Sequence, residues 1–525
     1  MMKKVIKTLL AALLAVAMVC AMAIPAFAYN TEEDLNAIHG YSAFQIFTGD
    51  VSDDNTISNV QWGSNITDSD EFLAQLMADP TIGGNFKTNF TAQDVLAVIS
   101  KWSNSDDNSI AFARVVCHYL YPDANANPEP VATGHTGGFE VPKPGYYLIV
   151  DTTYFNLSDF YHAYNSFLLK VTKAHYGFTI NHKVVKPYVE KEVYDNQDGT
   201  NEAGFGSSAD HAINEEFQFK LTATLPASPD RAYDYYKEYA VLFNDTLSNG
   251  ITYDRLDSVV IKSNGIPYDI TNDSSMYEVD DSRLESDHYF VVGIPDVKAC
   301  GAGLNLNAGA TITVTYTAHL NENAAVNGST DNKNKVQLQY SNNPRNSAYW
   351  GFTPESAVCV YTYQLNNTKY HDEANSGNEL EGAGFSLYSD EACTQEVKLY
   401  KEGAFYYPIK NATGKTAVEM KSAADGTFNV KGLDAGTYYL KETTPPAGYS
   451  ACDKTRIVIS ATHDEHNVNL SSESNLNNKI INIKAGGITL PSTGGIGTTL
   501  FYVVGGGLMV AAIVLLVTKK RMENK

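Results

Sequence analysis

A mainly β architecture, in which tandem immunoglobulin-like β-sandwiches follow an α+β N-terminal domain, is predicted by three observations on the 525-residue sequence. Apolar residues alternate with a period of two through residues 187–363, short strand-like segments separated by turns continue to residue 484, and helix-spaced apolar residues are confined to the stretch before residue 121. With 11% aromatic and 19% charged residues the chain has enough apolar surface to fold, which excludes a disordered protein. Its length accommodates about three domains of ~150 residues, each large enough to bury a core.

The first domain, residues 29–182, reads as α+β. Residues 70–78 bring Phe72, Leu73, Leu76 and Met77 to helical spacing. Residues 91–102 predict a second helix, with Thr91 as N-cap, Asp94 at the capping-box position, and Val95, Val98, Ile99 and Trp102 on one face. A third helix covers 109–120 through Ile110, Ala113, Cys117 and Leu120, and strands follow at 145–150 and 166–172.

The middle domain, residues 183–362, contains three long alternating runs: Phe217, Phe219, Leu221, Ala223 and Leu225; Ile312, Val314, Tyr316, Ala318 and Leu320; and Val336, Leu338 and Tyr340. That is the pattern of strands with one buried face in a β-sandwich of immunoglobulin size. Residues 363–484 carry shorter strands near 384–388, 427–430, 437–441 and 456–459, which predict a smaller sandwich. No low-complexity tract divides the domains, so close stacking is expected.

The two ends are of another kind. Residues 1–28 join Lys3, Lys4 and Lys7 to an apolar run and then Ala26-Phe27-Ala28, the layout of a cleaved secretion signal. Residues 485–525 comprise a short Gly-containing link, Leu490-Pro491-Ser492-Thr493-Gly494, a weakly polar run over 496–518 long enough to cross a bilayer, and Lys519, Lys520 and Arg521. This tripartite end resembles the cell-wall sorting signal of Gram-positive bacteria. The resemblance implies that a sortase cuts between Thr493 and Gly494 and passes the Thr carbonyl to an amine. The whole chain has a net charge of −22; without 1–28 and 494–525 it retains 31 basic and 59 acidic side chains, a charge of −28. Such acidity excludes nucleic acid as a partner and disfavours anionic membrane surfaces.

No HExxH, paired CxxC, P-loop or GxSxG pattern is present, so no enzyme class is indicated and no cofactor or metal is expected. Asp195-Asn196-Gln197-Asp198-Gly199 has the oxygen-rich, Gly-terminated character of a calcium loop but lacks a Glu at the twelfth position, and reads as an Asx-rich turn. Five cysteines remain after the leader, an odd and widely spaced set that forms no disulfide framework. Buried free thiols are expected, with Cys393 and Cys452 as the pair able to join if they meet.

Residues 380–388, Asp425-Gly426-Thr427-Phe428, Gly432-Leu433, residues 436–442 and Pro445-Pro446-Ala447-Gly448-Tyr449 closely resemble Cna-B-type domains of Gram-positive surface proteins. The resemblance implies an isopeptide bond between Lys369 in the first strand and Asn482 in the last, assisted by Glu442. Independently of the family, burial favours the neutral, nucleophilic form of a Lys amine and the protonated form of a carboxylic acid, and fixed contact replaces an external catalyst.

The middle domain is similar to the isopeptide-forming, Cna-A-like second domain of backbone pilins, through Val189-Glu190-Lys191-Glu192-Val193, residues 217–225, residues 243–250 and residues 332–344. That likeness makes Lys191 the amine and Asp245 the acid; Asn334 is the chosen partner and Asn342 the alternative. Backbone pilins also carry a Lys between their first two domains that attacks the Thr acyl-enzyme of another subunit. Here that location reads Ile180-Asn181-His182-Lys183-Val184-Val185-Lys186-Pro187, which selects Lys183, with Lys186 second.

The resemblance thus implies a non-enzymatic shaft subunit of a covalent pilus. Its partners are then pilus-polymerising and housekeeping sortases, identical subunits and peptidoglycan. The competing expectation is a monomeric wall-anchored adhesin whose first domain binds a host or dietary ligand.

Overall fold

The computed structural model describes residues 40–51, 57–103, 106–123, 126–135, 138–152, 166–171, 176–178, 186–196, 203–228, 231–301, 303–328, 330–345, 350–485 and 508–520. The leader, Lys183 and residues 490–494 lie outside these segments.

The first domain is an antiparallel sheet covered by three helices. Strand β1 (Gly40–Val51) lies between β2 (Ile57–Trp62) and β4 (Gly145–Asp151), with β3 (Ala132–His135) also paired to β1 and β5 (Ser166–Val171) paired to β4. Helices α1 (Ser69–Ala78), α2 (Ala92–Ile99) and α3 (Asp107–Leu120) press Phe72, Leu76, Val95, Phe112 and Val116 onto Phe44, Ile46 and Phe47 of β1. Side chains that accept from the first-turn amides start each helix: Asp68, Thr91 with its Asp94 capping box, and Asp106. The second helix is shorter than the spacing predicts. After Ile99 the chain tightens, Lys101 N–H donating to Val98 O and Trp102 N–H to Ile99 O, and Trp102 packs edge-on against Phe86 outside the helix.

The middle domain is a sandwich. One sheet contains β6 (Tyr188–Asp195), β8 (Glu216–Leu225), β10 (Ile251–Ser263) and β12 (Ala310–Leu320), in the order β10-β12-β8-β6. The other runs β7 (Ser208–Asp210), β14 (Ser356–Tyr361), β13 (Lys333–Ser341), β9 (Val241–Leu247), β11 (Tyr289–Ile294). Every second residue of β8 and β12 is buried, and Phe219, Leu221, Ile312 and Val314 meet Phe243, Val292 and Leu338 of the facing sheet in one core.

In the last domain β15 (Tyr363–His371) pairs antiparallel with β17 (Asn429–Leu433) and parallel with β22 (Asn477–Asn482). Facing it are β16 (Gly384–Tyr388), β18 (Gly436–Thr444) and β19 (Thr455–Ile459), followed by the hairpin β20 (Ala461–His463) and β21 (Val468–Leu470). The sandwich fold class is as expected. The two sandwiches are in direct contact: Ile213 N–H donates to Gly432 O at 2.9 Å, and Asn214 Nδ2 donates to Pro408 O at 2.8 Å. Gly432 sits at φ +88° where a Cβ would fall 2.4 Å from the Ile213 side chain, so this contact admits only glycine.

Residues 508–520 are helical. Among the described residues no helix is long and apolar enough to cross a membrane. No disulfide joins the described cysteines: Cys117, Cys300 and Cys359 are buried, whereas Cys393 and Cys452 are only half-buried and do not bond to each other.

Candidate intramolecular cross-link sites

In the last domain, parallel pairing of the first and last strands puts Lys369 opposite Ile480, so that Asn482, two residues on, points to the same face. Lys369 and Asn482 are fully buried, and Glu442 from β18 reaches them across the sandwich. Lys369 Nζ donates to Asn482 Oδ1; Asn482 Nδ2 donates to Glu442 Oε1 at 2.7 Å; and Nζ lies 3.6 Å from the same carboxylate oxygen. The second carboxylate oxygen accepts from the Cys452 backbone amide at 2.8 Å, fixing its plane. Phe385 lies 5.5 Å from Nζ and excludes water. Loss of solvent lowers the Lys369 pKa from its ordinary value, with Cys452 and Glu442 opposing.

The middle-domain cluster has a different arrangement. Lys191 projects from β6 of one sheet, and Asp245 (β9) and Asn334 (β13) come from the other; all three are almost completely buried. Asn334 is opposite Leu247 and Asp245 opposite Val336, which places the acid and the amide on neighbouring strands. Lys191 Nζ donates to Asp245 Oδ2. Tyr316, from β12 of the Lys191 sheet, joins the remaining groups: its hydroxyl accepts from Lys191 Nζ at 3.1 Å and from Asn334 Nδ2, and donates to Asp245 Oδ1 at 3.2 Å. Burial pushes Lys191 down to about 8 and moves Asp245 up, against their mutual attraction. Asn334 Oδ1 is buried without a hydrogen-bond partner among the described residues.

All six residues selected for cross-linking therefore fall into two compact groups. Asn342, the alternative partner, is buried beyond the far end of β13, and Asn334 is the amide hydrogen-bonded into the Lys191 group. Lys186 is half-buried just before β6, while Lys183 and Leu490, Pro491, Ser492, Thr493 and Gly494 lie outside the described residues. Two contributors escaped sequence reasoning. Tyr316 occupies an inward position of an alternating strand and reads as core; Cys452 gives its backbone amide to Glu442 and brings its thiol to 3.7 Å from Lys369 Nζ, and neither contact has a local sequence pattern.

Comparison with known proteins adds three findings. Residues 366–475 match a SpaA, prealbumin-like fold domain, and residues 482–524 match an LPXTG cell wall anchor motif, so the chain carries a wall-anchoring segment and is a cell-surface protein. A curated relative, the trypsin-resistant surface T6 protein of Streptococcus pyogenes serotype M6, is 25% identical over 406 residues, covering 66% of this chain and 71% of its own. Among solved structures, the T6 backbone pilin of serotype M6 Streptococcus pyogenes aligns at TM-score 0.49 and 15% identity, over 85% of this chain and 96% of that one. The full-length major pilin SpaD of Corynebacterium diphtheriae aligns at TM-score 0.41 and 21% identity, over 70% and 88%.

Proposed function

We propose that this chain is the repeating shaft subunit of a covalently polymerised surface pilus and has no enzymatic turnover of its own. The observation that carries this reading is the pair of buried Lys–carboxylate–Asn groups in successive domains of a wall-anchored protein. In each, the neutral Lys amine attacks the Asn side-chain carbonyl carbon, the bond to the amide nitrogen breaks, and that nitrogen leaves as ammonia with the proton the amine gives up. Asp245 and Glu442 ferry the proton. The product is a Lys–Asn amide in each domain, a staple that closes more than 100 residues of chain and resists reduction. By loop entropy each staple stabilises its domain on the order of 5 kcal/mol. Durability of this kind suits a load-bearing shaft, and agrees with the trypsin resistance in the name of the related T6 protein.

In this reading a polymerising sortase forms an acyl-enzyme at Thr493, and Lys183 of the next subunit, with Lys186 as second choice, resolves it. A housekeeping sortase finally transfers the base of the polymer to peptidoglycan. Wall extracts boiled in SDS should show a ladder of multimers that collapses on Lys183→Ala. A single band from the wild type would overturn the shaft reading in favour of a monomeric anchored adhesin.

A further inference from the structure

The contact between the two sandwiches contains a group of side chains that the cross-links do not use. Asp195 ends β6, Asp210 ends β7, and His463 ends β20 of the last domain. Asp195 Oδ2 and Asp210 Oδ1 lie 3.6 and 3.7 Å from His463 Nε2, and the three ligand-capable atoms all lie within 4.8 Å of one another. These separations exceed hydrogen-bond length. They are close to the roughly 3.4 Å between ligand atoms around an ion with bonds of about 2.0–2.2 Å.

Each side chain is held by its other polar atom. Tyr363 Oη donates to Asp210 Oδ2 at 2.7 Å, the Asp210 backbone amide leans on Asp195 Oδ1 at 3.4 Å, and Ser208 Oγ is 2.8 Å from His463 Nδ1. With Nδ1–H donating to Ser208, the Nε2 lone pair faces the two carboxylates, the outer-shell arrangement that orients a metal-binding imidazole. Asp210 is fully buried, and its Oδ1, aimed into the group, has no hydrogen-bond partner among the described residues. Two buried carboxylates facing one imidazole leave an excess of negative charge whether or not the imidazole is protonated, a costly state that a dication would relieve.

We propose that Asp195, Asp210 and His463 bind a divalent transition ion of the zinc class, which clamps the middle sandwich to the last one. One imidazole nitrogen and two carboxylates suit such an ion, with a fourth position left for water; calcium would require six to eight oxygens. A neighbouring group, His211, Glu215 and Asp434, is less suited, because the Asp434 oxygens already accept from the Ala435 amide and Asn196 Nδ2. The clamp sits at the end of the strand that carries Lys191, so it would tie the stapled core of one domain to the hairpin of the next.

The test is calorimetric titration of the untagged full chain in detergent with zinc chloride, and separately with manganese and calcium chloride. The expected result is one zinc per chain, a thermal midpoint that rises with zinc, and loss of both on His463→Gln and on Asp210→Asn. Ser208→Ala should weaken binding about 10- to 100-fold. Wild-type protein that takes up no zinc, zinc uptake unchanged in both His463→Gln and Asp210→Asn, or a preference for calcium would each overturn the proposal. A site that only shares a proton belongs to the first of these outcomes: its stability would vary with pH and ignore every metal. Intact mass, which reports the two cross-links, shows that the variants are folded, because the bonds close only in packed domains.

Discussion

The two buried Lys groups use the same three functional groups in opposite order. In the last domain the amine rests against the Asn carbonyl, and the acid accepts from the Asn amide nitrogen. In the middle domain the amine rests against the acid, and the amide is reached through the Tyr316 hydroxyl. The origin is topological. Parallel pairing of β15 and β22 puts Lys369 and Asn482 on one face of one sheet, so only the acid must cross the sandwich. Lys191 is separated by the sandwich from both its partners, so a bond there would join the two sheets, and a second group from its own sheet is needed to hold the amide. One site gains its geometry from strand register and the other from a hydrogen-bonded hub.

The largest effects come from removing the amines. Intact mass of the wild-type chain should fall two ammonia masses below the value for its processed sequence. Lys369→Ala and Lys191→Ala should each remove one deficit, cost about 5 kcal/mol, and open only the domain concerned to trypsin. A wild-type mass with no deficit would reject both bonds, and a single deficit would show that one of the two arrangements is unreactive.

Tyr316→Phe separates the sites more finely. It takes the hydroxyl from Lys191, Asp245 and Asn334 at once and has no counterpart in the last domain. Leaving a buried amide unpaired costs about 1–3 kcal/mol, which corresponds to middle-domain closure slower by roughly 10- to 100-fold. Time-resolved mass of newly synthesised chain should show the last-domain deficit arriving on schedule and the other delayed; equal timing would remove Tyr316 from the mechanism.

Ionisation separates them next. Asn334→Ala keeps Lys191 and Asp245 but cannot close the bond. Lys191 titrates near 8 when folded and at its ordinary, higher value when unfolded, so the unfolded chain holds more protons between the two. Stability of this variant should therefore rise with pH from about 8 towards the ordinary Lys range, by on the order of 1 kcal/mol or more, and that part of the rise should vanish once Lys191 is also changed to Met. At the acid end Asp245 acts in the other sense: its raised pKa makes stability fall as pH climbs past the ordinary carboxylate range. Asn482→Ala should show the Lys369 rise at the alkaline end.

How much of this was legible in the sequence depended on what each residue does. Alternation along residues 217–225 and 312–320 located strands buried on one face, and motifs around Lys369, Glu442 and Asn482 singled out three otherwise ordinary polar residues that the fold brings into contact. Strand β1 was missed because Tyr41 to Phe47 are buried on both faces, so no period of two exists to read. Tyr316 was placed inside correctly, but period gives position and not the partner of a hydroxyl. The Asp195, Asp210 and His463 group joins residues more than 250 positions apart through a domain contact, which local pattern does not encode. The Asx-rich turn read at 195–199 shares only Asp195 with this group, and residues 197–199 lie outside the described residues.

Cys452 gives the smallest and most discriminating test, because it is to Glu442 what Tyr316 is to Asp245, with one difference. Its thiol lies 3.7 Å from Lys369 Nζ, yet the contact that holds Glu442 comes from its backbone amide, which every substitution except proline retains. Cys452→Ala should therefore leave the last-domain mass deficit complete and alter stability by no more than about 1 kcal/mol, the scale of a half-buried side chain trimmed at the rim of a core. A lost or slowed deficit would show that the thiol itself supports the amine. The last-domain site would then depend on a side-chain hub as the middle one does, and strand register alone would no longer account for its geometry.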